Sequence, residues 1–300
     1  MSEYDDEAAE CLNGAYDLHI HSAPDVLDRS GDDINFAKMA LEAKMKGIIV
    51  KCHYTSTAGG AYYARKMVPE VNTFGSICLN NSIGGLNSSA VDIAGRMGAK
   101  LVWMPTVDSM NESLKMPSQD EKKLGFWAKM QKELKAEGLL KPPVKIFDAS
   151  GKFVPELDDV LDRIRKYKMI LATGHLSPEE SIKLIKYATE HGVERIIITH
   201  PDFPTTYFTI EQQRELAKYP VFLERCYTTP ATGKVPWEYV LEGVKKTGPE
   251  RNILATDLGQ KGAIFPAKGL EAFIKFFLKS GFSVEEIRQM TVRNQEHLLR

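Results

Sequence analysis

The segment Tyr16-Asp17-Leu18-His19-Ile20-His21 sets two imidazoles at i and i+2. In a strand, alternate side chains point the same way and lie about 6 to 7 Å apart, so both rings can reach one divalent ion. Three more histidines close β-rich apolar runs: His53 after Gly47-Ile48-Ile49-Val50-Lys51-Cys52, His175 after Met169–Gly174, and His200 after Arg195-Ile196-Ile197-Ile198-Thr199. Asp257 ends Ile253-Leu254-Ala255-Thr256 in the same manner. A carboxylate following a buried strand needs a partner, and a metal ion or a protonated imidazole would supply one. The other reading, an N-cap, is weak because Leu258-Gly259-Gln260 is a poor helix start. Lys51 and His53 form a second same-face pair. Glu224 and Arg225 are adjacent, so only one of them can face the site. His191 and His297 read as ordinary surface residues.

These residues make a site only if a fold gathers the ends of their runs. Eight apolar runs can be read, at 16–21, 47–53, 72–80, 100–105, 169–175, 195–200, 221–226 and 252–257, with amphipathic stretches between them. That is the grammar of βα units around a parallel sheet. The runs lack strict polar alternation and therefore bury both faces. The predicted fold is α/β, a (β/α)8 TIM barrel forming one domain over residues 1–300, whose C-terminal strand ends meet at one mouth.

Ser177-Pro178-Glu179-Glu180 predicts a capped helix ending at His191-Gly192, and Ser283-Val284-Glu285-Glu286 opens the last helix with a capping box. The stretch 105–155 exceeds a simple crossover: a charged helix is expected over 119–137, a small hairpin over 145–153, and a further helix over 155–167. Such an excursion after a barrel strand is a candidate lid, with surface decoration as the alternative. Ile83-Gly84-Gly85-Leu86-Asn87-Ser88-Ser89 lacks the endings of a nucleotide loop. It reads as a tight loop before a capped helix whose free N–H groups can meet an anionic substrate, and Thr55 to Gly60 has the same ambiguity.

With 43% hydrophobic and 26% charged residues and a net charge of -1, the chain offers no basic face for nucleic acid or an anionic membrane. No apolar run approaches the roughly 20 residues of a membrane span, and the acidic start Met1–Glu7 is unlike a secretory leader. A cytoplasmic location is expected. Cys11, Cys52, Cys78 and Cys226 show no CxxC spacing and read as reduced thiols rather than a disulfide framework.

The order HxH on the first run, His on the fifth, His on the sixth and Asp on the eighth resembles the amidohydrolase superfamily, along essentially the whole barrel. The terminal segment Met290–Leu299 is similar to that superfamily's last helix. Within it the chain looks like an uncharacterised amidohydrolase-like branch with Lys-x-His on strand two and Asn80-Asn81-Ser82-Ile83-Gly84-Gly85-Leu86-Asn87 after strand three. The resemblance implies that His19, His21 and Asp257 hold one metal, that His175 is a ligand, and that His200 is a ligand or an electrophile. It departs at the fourth run, where Leu101–Thr106 offers no lysine to bridge two ions.

Lys51 could fill that gap if carboxylated, could bind a substrate carboxylate, or could pair with Asp257. His53 and Glu224 or Arg225 are candidate substrate contacts. The expected cofactor is a divalent metal, zinc first and manganese or iron next, as one or two ions. The expected partner is a small-molecule substrate; a homo-oligomer is common for such barrels but is not encoded legibly. Asp257 and His200 would serve the hydrolysis of an amide, cyclic amide or lactone by metal-activated water. A mononuclear non-oxidative decarboxylase of a hydroxylated or aromatic carboxylate is the first alternative, and a phosphoesterase the second.

Overall fold

The computed structural model describes residues 4–115 and 126–300. Its strands, all paired in parallel, are β1 (Tyr16–His21), β2 (Gly47–Lys51), β3 (Asn72–Phe74), β4 (Ser76–Cys78), β5 (Leu101–Trp103), β6 (Ile170–Ala172), β7 (Ile196–Ile198), β8 (Val221–Cys226) and β9 (Asn252–Ala255). The helices are α1 (Asp5–Leu12), α2 (Asp33–Glu42), α3 (Ala58–Met67), α4 (Ser88–Arg96), α5 (Met110–Lys115), α6 (Phe126–Ala136), α7 (Glu156–Lys166), α8 (Pro178–Glu190), α9 (Ile210–Leu216), α10 (Thr228–Ala231), α11 (Trp237–Thr247), α12 (Pro266–Lys279), α13 (Val284–Arg288) and α14 (Asn294–Leu299).

The strands form two sheets, β1-β2-β3 and β4 through β9 in sequential order. The run 72–80 supplies an edge to each, because Gly75 divides it: β3 pairs with β2 and β4 with β5. A Cβ at Gly75 would lie 2.5 Å from the Ala58 Cα, so only glycine lets the chain pass that close to the start of α3. At the other side, β1 and β9 meet through a few bonds rather than a ladder. The Asp257 amide donates to the His19 carbonyl at 2.8 Å, and the His21 amide to the Leu258 carbonyl at 2.7 Å. The buried Asp17 carboxylate accepts from the Thr256 amide at 3.1 Å and the Thr256 hydroxyl at 2.5 Å.

Side chains alternate across the strands as their period demands. Tyr16, Leu18, Ile49, Cys78, Leu101, Trp103, Ile170, Ala172, Ile197, Phe222 and Ile253, drawn from both sheets, pack into one interior cluster. Their neighbours Val102, Leu171, Ile196, Ile198, Val221 and Leu223 pack outward with the helices. β1 changes phase on the way, since its register with β2 shifts between Asp17 and Ile20. Before the shift Leu18 faces the interior; after it Ile20 packs with the helices. His19 and His21 thereby turn inward at the strand end, the re-aiming that a bulge beside a site commonly performs.

Ser177 and Ser283 cap α8 and α13 with capping boxes, as their sequences predict. Asn87 caps α4 after Gly84 and Gly85, both at positive φ, which makes the glycine-rich segment the expected tight loop. In the excursion, the 145–153 hairpin is a single antiparallel bridge between Phe147 and Phe153. The helix expected over 119–137 is seen as α6, and its first part lies outside the described residues. The four cysteines are buried and free. Among the described residues no helix is long and apolar enough to cross a membrane.

Candidate metal centre

Five histidines stand in a closed ring at the C-terminal strand ends. Successive ring centroids are 5.4 Å apart for His19 and His21, 4.8 Å for His21 and His53, and 5.9 Å for His53 and His175. The circuit closes at 5.0 Å from His175 to His200 and 6.0 Å from His200 back to His19. Asp257 completes the group, with its Oδ1 lying 3.1 Å from both His19 Nε2 and His21 Nε2. His200 and Asp257 hold φ of +23° and +53°, a costly backbone for non-glycine residues that the surrounding structure enforces.

This donor set fits a divalent cation. The two Nε2 atoms and the carboxylate oxygen all lie within 4.8 Å of one another. Ligands bonded at about 2.0 to 2.1 Å to a tetrahedral zinc would be separated by roughly 3.3 Å. Burial raises the Asp257 carboxyl, but the attraction of His19 and His21 outweighs it and holds the group ionised, well below the usual range. Burial is also the main cause holding His21, His53 and His200 well below the usual imidazole value, so these rings are neutral. Arg29, which has only N–H donors, donates to His21 Nδ1 at 3.3 Å. For His21 to take a cation at Nε2 its proton must move to Nδ1, and the Arg29 contact there must be given up.

The outer partners are carboxylates as well. His19 Nδ1 lies 3.1 Å from Glu224 Oε2, an arrangement that aims Nε2 at the centre. Glu224 Oε1 is buried without a hydrogen-bond partner. Lys51 is 1% exposed, its Nζ 3.0 Å from His19 Nε2 and 4.2 Å above the Trp103 ring. The proposed Lys51–Asp257 pair is not formed, since the Asp257 contacts go to the two histidines. Trp103 of β5 lies against His19, with ring centroids 4.5 Å apart.

Arg225 is not part of the site. Phe222 faces the interior, so alternation sends Glu224 inward and Arg225 out, where its guanidinium donates to Asp202 at 2.7 Å and Asn252 at 2.8 Å beneath Gly243 of α11. The expectation that Arg225 contacts substrate is corrected accordingly. His191 and His297 lie apart from the ring, half-buried and exposed respectively.

Sequence reasoning missed Glu112 on α5. This buried carboxylate sets Oε1 2.9 Å from His175 Nδ1 and accepts from Thr205 Oγ1 at 2.6 Å. Ser109 and Asn111 beside it both donate to the His175 carbonyl, at 3.1 and 3.0 Å, and Asn111 also to the Thr205 carbonyl at 2.7 Å. The excursion is thus tied to two strand ends. A neighbouring cavity of about 370 Å³ is lined by Tyr54, Val107 and Val26 with Leu134, Leu139 and Leu140 of the excursion. Tyr54 stands edge-on to His53 at 6.1 Å.

Comparison with solved structures finds the same architecture in an amidohydrolase from Pseudomonas aeruginosa (10% identity, TM-score 0.58, 97% of each chain). A probable 2-pyrone-4,6-dicarboxylic acid hydrolase from Acinetobacter baumannii matches at 11% identity and TM-score 0.58, over 95% of this chain and 99% of that one. A triple mutant of an organophosphorus hydrolase from Deinococcus radiodurans matches at 13% and 0.58, over 97% and 94%. At these identities the likeness is one of fold alone. Comparison with curated proteins gives no match. The model of a family of unknown function, DUF6282, matches residues 14–224, from just before β1 to Glu224 on β8, and the chain belongs to that family.

Proposed function

We propose that the chain is a metal-dependent hydrolase that cleaves an amide, cyclic amide or lactone bond of a small molecule. The observation that carries this reading is the Asp257 carboxylate shared at 3.1 Å by His19 Nε2 and His21 Nε2, among three further histidines at neighbouring strand ends. In the finer reading the two sheets close as one eight-stranded barrel, with the excursion over its mouth as a lid. Their shared interior cluster and the bonds between β1 and β9 support it.

His19, His21 and Asp257 would hold the ion, zinc first, with His175 and His200 adjoining it. The ion would supply Lewis acidity, activating water and polarising the substrate carbonyl. Asp257, kept ionised, would accept the proton of the attacking water and return it to the leaving group. His200 would complete the cation's shell or stabilise developing negative charge. Lys51 would bind a substrate carboxylate: its ammonium is buried, and among the described residues no carboxylate lies within ion-pair distance of it. Glu224 would orient His19 rather than touch substrate.

A second reading, a mononuclear decarboxylase, is favoured by the lack of a lysine in Leu101–Thr106 and by the same buried ammonium without a carboxylate partner. Metal analysis of the purified chain and of His19→Ala tests the central claim, with one equivalent or more expected in the former and a large loss in the latter. Absence of stoichiometric metal, or equal content in both proteins, would overturn it. Carboxylate-bearing lactones and amides assayed beside aromatic acids, with carbon dioxide followed, separate the two reactions.

A further inference from the structure

The hydrogen bonds behind the ring assign protons that distances alone leave open. Asn80 is fully buried and its amide has one possible orientation: Oδ1 accepts from the Thr106 amide at 2.8 Å and the Asp108 amide at 3.3 Å, so Nδ2 must be the group that faces the His53 carbonyl at 2.8 Å. Nδ2 also donates to Thr106 Oγ1 at 2.7 Å. That hydroxyl therefore accepts from Asn80 and has its own proton to place. Its remaining aligned partner is His53 Nδ1, at 2.8 Å. The thiol of Cys78 is the other group nearby, and burial pushes it up to about 12, leaving a neutral sulfur that accepts weakly.

We infer that Thr106 donates to His53 Nδ1, which fixes His53 as the Nε2–H tautomer and makes it a hydrogen-bond donor to substrate rather than a metal ligand or a base. His200 shows the opposite arrangement with the same residue type. Thr206 Oγ1 gives its proton to the His200 carbonyl at 2.8 Å and so can only accept from His200 Nδ1 at 3.1 Å, leaving Nε2 of that ring with a lone pair. Two threonines thus set two imidazoles of the same ring, one on each side of His175, to opposite tasks. Among the described residues His53 Nε2 has no hydrogen-bond partner, and its ring lies between those of His21 and His175 at the edge of the cluster. An N–H there suits the carbonyl or carboxylate oxygen of a bound substrate, where charge develops during hydrolysis. Asn80 and Thr106 are positioning residues that act through His53. The catalytic use rests on the proposed hydrolase activity; the protonation pattern does not.

Nitrogen-15 spectra of the full chain labelled at histidine test the assignment, with His53→Gln identifying the signal. The expected spectrum has a lone-pair-type Nδ1 and a protonated Nε2 for His53, unchanged when zinc is added. Thr106→Val should release the ring to a tautomer mixture, and Thr106→Ser should retain the original pattern. A protonated Nδ1, loss of the Nε2 proton on adding zinc, or an unaltered pattern in Thr106→Val would overturn the inference. Failure of zinc to bind would count against the proposed hydrolysis, while the metal-free spectrum would still decide the state of His53.

Discussion

Glu112 and His175 illustrate how far a residue type carries. An imidazole that ligates metal through one nitrogen is oriented by whatever meets the other, and removing that partner typically weakens metal binding by about 10 to 100-fold. Glu112→Gln is therefore expected to lower zinc affinity within that range without unfolding the chain, measured by competition with a chelator. The histidines and Asp257 were legible because each ends an apolar run, and a parallel fold gathers such ends. Glu112 was not, because Met110-Asn111-Glu112-Ser113-Leu114-Lys115 has no strand and no apolar period to mark it, and its burial comes from tertiary contact with Thr205. Lys51 was legible as an inward residue, but that it does not pair with Asp257 needed coordinates.

At the level of elements, alternation was readable where polar residues punctuated a strand and silent where all were apolar. Val221-Phe222-Leu223 gives no phase, so the pair Glu224 and Arg225 could be narrowed to one inward residue but not to which. The register shift in β1 was invisible for the opposite reason: Asp17, His19 and His21 alternate regularly with Leu18 and Ile20, so the pattern reads as one unbroken phase although the shift delivers His19 and His21 to the interior. Gly75 likewise looked like part of an unbroken strand. Replacing it with alanine would push a methyl against the Ala58 backbone, 2.5 Å from Cα and 2.6 Å from N, neither of which is a flexible side chain. Gly75→Ala should cost about 1 to 3 kcal/mol by chemical denaturation, as overpacking does.

For the molecule as a whole, α/β class and strand order were legible from the spacing of the runs; the division into two sheets was not, since it depends on local backbone approach at Gly75. Stability should respond to acid through Asp33, whose carboxyl burial pushes up from 3.8 to about 6, against a hydrogen bond from Ser22. Between those values the unfolded chain releases a proton that the folded chain keeps. Stability therefore falls as pH rises from about 4 to about 6, by up to ~3 kcal/mol from this group. Asp33→Asn should remove that portion of the slope and be the more stable protein at pH 7, measured by urea unfolding across the range.

The bonds between Asp17 and Thr256 join positions 239 residues apart, and the same seam brings Asp257 to His19. During synthesis His19 and His21 emerge well ahead of Asp257, so a growing chain displays two imidazoles long before it owns the carboxylate that would complete their set. On the proposed reading, selection of the ion would be deferred to the finished fold, and a chain stopped short of Asp257 would carry only a weak, promiscuous pair of nitrogens.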